Sequence, residues 1–373
     1  STAYDSNLKN LALKLTENKK DNDEKIKTIY HYICKNIRYI GLELGIHGFK
    51  PHSARDVIKL GYGDCKDKAA LMVAMLRSID IPSYIALINT DRYIEEDIPF
   101  PGQFNHAIVA IPEDSSFMIL DPTSEVFPYP QLPPYDQNKA VLVPTEGKTY
   151  LVKSYTSNPD ENKKTRNINV YFDEDGNIEA NVKMIPEGIF NAAIRNNFRF
   201  LSEEEKRRQL SQDLNSLVPN TTLKSFEIKG IESLEEEVEE NYAFTSARYG
   251  IKMQDTFIFK PAFLEKIEGT EIVSLEKRNF PIRFPYKSAF IDKICFYLPQ
   301  GYRVDTYPEP IRITNKFGNY SINVKIENNT LVYQRYFSID VLEINPQDYI
   351  EFRQFYQACS YFDGLPVILK KIH

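Results

Sequence analysis

The sequence predicts an α+β protein built in two parts, and three observations carry that reading. Helical periodicities dominate to about residue 80, short alternating runs follow to about residue 152, and alternating β-branched and aromatic runs fill most of the rest. At 373 residues the chain is long for one core, so two domains are expected. The composition places a core over residues 1–152, a linker over 153–166 and a β-rich domain over 167–373.

In the first part, Leu8, Leu11, Ala12 and Leu15 mark an amphipathic helix, and Asp21-Asn22-Asp23 opens a second that runs to about residue 39. Ser53 and Asp56 cap a short helix that stops at Gly61. Ala69, Ala70, Leu71, Val73, Ala74, Met75 and Leu76 are apolar almost all round a helix, which predicts a buried one. It ends near residue 80, before Ile81-Pro82. Strands are expected at 84–88, 104–111, 116–120, 140–143 and 150–152. The proline-rich stretch 127–134 reads as a loop near the cleft. Past the linker, 168–172 and 178–184 flank Asp173-Glu174-Asp175-Gly176, a hairpin signal. A helical region over 188–217, strands from 222 to 341 and a last helix after Pro346 complete a β-sandwich-like domain with helical additions.

Three residues of the first part fit one chemistry. Asp64 is a natural N-cap with Asp67 three residues on, which makes Cys65 the first helical residue. Unpaired N–H groups and the positive end of the helix dipole then favour its thiolate. His106 and Asp121 lie in adjacent strands joined by the turn Pro112-Glu113-Asp114-Ser115. A loop of that length sets the two directly opposite on one face, with Cβ atoms roughly 4.5–5.5 Å apart. A thiol, an imidazole and a carboxylate in this order suit a nucleophile, its base and the base's orienter. The backbone N–H of Cys65 is one oxyanion donor, and Tyr39 is the candidate for a second.

These residues carry a resemblance. Ser53-Ala54-Arg55-Asp56-Val57-Ile58, Gly63-Asp64-Cys65, Leu76-Arg77, Ile81-Pro82, the His106-Ala107 strand and Leu120-Asp121-Pro122-Thr123 together resemble the core of the transglutaminase-like superfamily. The similarity covers about residues 20–125 and is greatest to a bacterial branch with Gly-Asp-Cys-Lys-Asp around the nucleophile. It implies a papain-like Cys-His-Asp fold with Cys65 as nucleophile, His106 as general base and acid, and Asp121 as orienter. It also implies a periplasmic or cell-envelope setting and a β-rich C-terminal domain. Many relatives carry Trp near the positions of Ile108 and Phe117, whereas this chain has no Trp. The expected activity is attack on an amide or peptide carbonyl of a protein or peptide substrate. Hydrolysis is favoured over transamidation, because no water-excluding amine tunnel is identifiable. A binding or scaffold protein that keeps the fold without turnover is the alternative.

Other properties narrow the classes. A net charge of −6 and a pI near 5.6 give no nucleic-acid footprint, and scattered Lys and Arg form no membrane-surface patch. The longest apolar run, residues 69–76, is too short to span a bilayer. No signal peptide is visible, and a start at Ser-Thr-Ala without Met reads as a mature form or an excised fragment. Four cysteines in a chain this long form no disulfide framework. Cys34, Cys295 and Cys359 sit in apolar patterns and read as core thiols. Without Cys-x-x-Cys or a His cluster, no metal or cofactor is expected. His47 and His52 flank a Gly-Phe-Lys-Pro loop and read as exposed loop residues, with a place lining the cleft as the alternative, and past residue 165 the sole histidine is His373. Oligomeric state is not readable from the sequence.

Overall fold

The computed structural model describes residues 2–41, 45–95, 97–98, 100–268 and 272–372. The chain divides into two compact units, Ser1–Thr156 and Ser157–His373.

In the first unit, helix α1 (Ser6–Thr16) is capped by Asp5, which accepts from Leu8 N–H at 2.9 Å. Helix α2 (Asn22–Asn36) is capped by Asp21 and buries Ile26, Ile29, Tyr30, Ile33 and Cys34 along one stripe. It stops three residues short of the sequence expectation. Ile37 is extended, and strand β1 (Arg38–Tyr39) pairs in parallel with β2 (Tyr62–Gly63), setting Tyr39 beside Gly63. Between them, helix α3 (Ala54–Leu60) starts at Ser53 and ends on Gly61, whose φ of 71° is the left-handed cap that glycine supplies cheaply. Helix α4 (Cys65–Ser78) is buried on every side except at Arg77. Lys68, fully buried within it, donates through Nζ to the Ile37 carbonyl at 2.6 Å, the C-cap of α2.

An antiparallel sheet follows: β3 (Tyr84–Ile88), β4 (His106–Pro112), β5 (Phe117–Leu120), β6 (Ala140–Pro144) and β7 (Thr149–Lys153), ordered β5-β4-β3-β6-β7. The β4–β5 register corrects the expected one. Pro112 pairs with Phe117 and Val109 with Leu120, so the connecting loop is Glu113 to Ser116, closed by Glu113 N–H donating to the Ser116 carbonyl at 3.0 Å. Asp121, one residue past β5, therefore falls opposite Ile108 and diagonal to His106. A shift of two leaves parity intact, so both remain on one face. That face carries Ile108 and Ala110, which pack with Ile88, Val141 and Leu132 of the proline-rich segment.

The second unit is β-rich. It contains β8 (Lys163–Phe172), β9 (Ile178–Pro186), α5 (Ile189–Phe198), α6 (Glu203–Leu217), β10 (Thr221–Lys229), β11 (Glu239–Ser246), β12 (Ile251–Met253) and β13 (Thr256–Phe259). It continues with β14 (Ile282–Arg283), β15 (Ser288–Tyr297), β16 (Tyr302–Thr306), β17 (Ile311–Asn315), β18 (Gly318–Glu327), β19 (Thr330–Ile339), β20 (Glu343–Ile344), α7 (Tyr349–Asp363) and β21 (Val367–Lys371). An eight-stranded sheet runs β10-β11-β9-β8-β15-β19-β18-β17, and a four-stranded one runs β12-β13-β21-β16. Phe257, Phe259 and Leu369 of the smaller sheet share one core with Phe244, Phe296 and Tyr333 of the larger, and α7 adds Phe352, Phe355 and Cys359. The expected linker is shorter than 153–166, since Lys163 already opens β8 and pairs with Ala289. Cys295 is also corrected. Ile294 and Phe296 are buried in β15, and Cys295 alternates with exposed Lys293 and Tyr297 as a half-buried thiol.

Most buried charges in this unit are matched, although burial pushes Glu240 up to about 7 and one of its oxygens has no hydrogen-bond partner. Arg335 grips Asp363 with Nε and Nη2 at 2.8 and 2.7 Å and reaches Asp292 at 3.0 Å. Arg166 bonds Asp292 at 2.6 Å and Glu265 at 2.9 Å, and Lys164 also pairs with Glu265. No helix among the described residues is long and apolar enough to cross a membrane.

Candidate active site

Cys65 stands at the first turn of α4 because the residues around it cap the helix from both directions. Asp64 accepts from Asp67 N–H at 3.2 Å, and Asp67 accepts from Asp64 N–H at 3.3 Å. Lys66 pairs with the second oxygen of Asp64. Gly63 lets the chain pass close by, since a Cβ there would lie 2.7 Å from that of Asp67. The thiol is 7% exposed.

His106 opens β4 and brings its imidazole within hydrogen-bonding reach of the Cys65 thiol. Its Nε2 lies 3.2 Å from Asp121 Oδ2, close but not angularly aligned for a good hydrogen bond. Asp121 is held from behind, its Oδ1 accepting from Thr123 N–H at 2.9 Å and Thr123 Oγ1 at 2.7 Å. Cys65, His106 and Asp121 are thus brought together. Tyr39 reaches this region through its backbone, paired beside Gly63, with its N–H donating to Glu125 at 3.2 Å. Its side chain is largely exposed.

The electrostatics are uneven. Burial disfavours a charged His106, yet the close approach of the Asp121 carboxylate and the Cys65 thiol and the charges of Asp121 and Asp136 push it up to about 10. Burial raises Asp121, but its bonds to His106 and Thr123 hold the carboxyl below its ordinary range. Burial and then the neighbouring Asp121 push Asp136 up to about 9. Behind this group, burial carries the Cys34 thiol to about 12 and depresses Lys68. Atoms of His106, Asp121 and Asp136 that are chemically able to bind a metal lie within 4.8 Å of one another.

Sequence reasoning passed over Asp136, which no helical or strand periodicity marks. It ends the single turn Pro134–Asp136, just past the proline-rich stretch expected near the cleft. His52 is also more engaged than an exposed loop residue. Its N–H donates to Asp67 Oδ1 at 2.7 Å, its Nδ1 lies 3.1 Å from Asp67 Oδ2, and its ring stacks on His47 at 3.8 Å. His47, His52, Asp67 and Gly63 line a cavity of about 190 Å³ with Ile40, Val57, Leu60 and Tyr62. His373 lies outside the described residues.

Comparisons with known proteins agree with this architecture. Residues 9–122 match the model of the Transglutaminase-like superfamily. Residues 255–369 match DUF3858, described as a domain of unknown function with a solved structure. A candidate protease from Parabacteroides distasonis has a similar fold, at 13% identity and a TM-score of 0.57, over 99% of this chain and 56% of that one. The chain thus spans little more than half the length of that protein. A candidate cysteine protease from Cytophaga hutchinsonii aligns at 26% identity and a TM-score of 0.25, over 31% of this chain and 37% of that one. No curated protein matches the chain.

Proposed function

We propose that the N-terminal unit is a thiol-dependent hydrolase of amide or peptide carbonyls, acting on a protein or peptide. The observation that carries this reading is the Cys65 thiol at a helix N-terminus beside His106, with Asp121 at 3.2 Å behind the imidazole. The thiolate of Cys65 attacks the carbonyl carbon, forming a C–S bond while the π electrons move to oxygen. First-turn backbone N–H groups, that of Cys65 among them, face the oxyanion, with Tyr39 as the second donor. The oxyanion collapses, the C–N bond breaks and the His106 imidazolium protonates the departing amine. Water then loses a proton to His106, attacks the thioester and releases an acid as the C–S bond breaks. Asp121 fixes the ring and stabilises its charged form. The superfamily match over residues 9–122 and the fold shared with one candidate protease support this at the level of the superfamily. In this division of labour the C-terminal unit recognises substrate or supports the fold, since among its described residues no histidine accompanies a cysteine.

The test is labelling by iodoacetamide at neutral pH, followed residue by residue by mass spectrometry, together with turnover of a peptide library. Cys65 is expected to react first, ahead of Cys34, Cys295 and Cys359, and peptide cleavage to disappear in Cys65→Ala. Faster labelling at any of the other three sinks the nucleophile assignment. A reactive Cys65 without turnover of any amide leaves the binding-module alternative standing.

A further inference from the structure

Asp136 is a buried acid that the mechanism above leaves unused. It is fully buried, and no donor reaches either of its carboxyl oxygens. Its backbone holds it in place, the N–H donating to Pro133 at 3.0 Å and the carbonyl accepting from Ser154 Oγ at 2.6 Å. A carboxyl oxygen of Asp136 lies within 4.8 Å of one of Asp121 and of a ring nitrogen of His106, and the two acids act on each other. Two carboxylates this close, and out of water, do not both ionise near neutral pH. Asp121 takes two hydrogen bonds from Thr123 and faces the imidazole, so the charge belongs there. Asp136, with no donor, holds the proton.

The surrounding charges agree. Asp121, His106, Tyr135 and Lys139 act on Asp136, while Lys68, Tyr30 and Cys34 lie near enough to Asp121 to feel its charge.

We propose that Asp136 is a positioning residue of the Cys65 site: a neutral acid that donates to Asp121 at neutral pH and, once ionised in alkali, holds the His106 imidazolium. This inference rests on the hydrolase reading and adds a reason for its pH range. In the neutral state the acid proton fixes Asp121, and through it the orientation of the ring. In the ionised state a second carboxylate keeps His106 charged at a pH where a lone His–Asp pair releases its proton. The elevated values of both groups, about 9 for Asp136 and about 10 for His106, accord with this sequence of events.

Iodoacetate labelling of Cys65 tests it in the full-length protein, because an anionic reagent is drawn to a thiolate only while the imidazolium stands beside it. The wild type should label in a bell-shaped pH profile whose alkaline limb reports His106. Asp136→Asn keeps a donor toward Asp121 but cannot ionise. Its labelling at neutral pH should stay within about twofold, while the alkaline limb moves down by about one pH unit. The ¹⁵N titration of His106 should fall with it, a change that a merely structural role does not produce. Asp136→Ala, which loses the donor as well, should also label more slowly at neutral pH. A reactive wild-type Cys65 with an unmoved limb in folded Asp136→Asn overturns the proposal and leaves the hydrolase reading intact. An unreactive Cys65 in the wild type overturns both. Stoichiometric retention of Zn²⁺ in equilibrium dialysis, lost in both variants, makes the trio a metal site and overturns the positioning role.

Discussion

Each unit buries a knot of ionisable side chains, and the two knots are built on opposite rules. In the β-rich unit, Lys164, Arg166 and Arg335 meet Glu265, Asp292 and Asp363, three cations against three anions. Asp363 also accepts from Tyr320 and from the Ile267 N–H. In the transglutaminase-like unit, Asp136 has no donor, and Asp121 Oδ2 and His106 Nε2 approach without completing a well-aligned bond. A network in which cations match anions contributes rigidity and resists change, even where a single atom such as Arg166 Nη2 lacks a partner, whereas one short of donors has protons to exchange.

Five expectations break or sharpen that contrast. Cys65→Ala should lower peptide turnover by at least about 10⁴-fold, while the thermal midpoint stays close to wild type. A loss of turnover matched by unfolding erases the distinction between the knots. Asp121→Asn should cost about 10³–10⁴-fold in kcat/KM, because the amide favours the wrong tautomer of His106 and cannot stabilise its charge. Arg335→Met should do the reverse. Leaving Asp363 without its cation costs about 3–5 kcal/mol in denaturant unfolding, with Cys65 labelling in the folded protein unchanged.

Tyr39→Phe is expected to reduce turnover by about tenfold, below the loss of a dedicated oxyanion donor, and a neutral result removes Tyr39 from the mechanism. The smallest effect is one of pH. His106 and Asp136 both bind protons more tightly when folded, so each contributes stability at low pH. That contribution is lost as pH rises from about 6.5 to about 10 for His106, and from about 3.8 to about 9 for Asp136. Glu265 is depressed by Arg166 and Lys164 against the pull of burial, so its contribution is lost as pH falls below the usual carboxylate range. Hydrogen exchange should therefore quicken first around residues 106 and 136 in alkali, and around residue 265 in acid. The same order at both extremes contradicts the comparison.

Much of the site was legible because local rules govern it. The cap at Asp64 and the run of buried residues after Cys65 follow from side chains within one helix. The side of the sheet shared by His106 and Asp121 survived a register error, since parity depends on alternation and not on the loop. The register itself was not legible, because Ser116 joins the turn and Pro112 the strand, a choice that local propensity leaves open. Asp136 was hidden for a different reason. It arrives on an irregular segment whose path is fixed by Leu132 in a distant core and by Ser154 in a later loop. Cys295 shows the converse failure, where an apolar-looking stretch concealed a clean inside-outside alternation.

Lys68 gives the helix that presents the thiol something its apolar faces cannot. Packing between hydrocarbon side chains is non-directional, and a helix held by it alone can slide along its axis, where one residue's rise is about 1.5 Å. Errors of about 1 Å in reacting groups already cost orders of magnitude in rate. A single ammonium, anchored at 2.6 Å on the last turn of the neighbouring helix, works as a locating pin. Together with the His52 N–H on Asp67, it turns the axial placement of Cys65 from an average over many soft contacts into a tolerance set by hard ones.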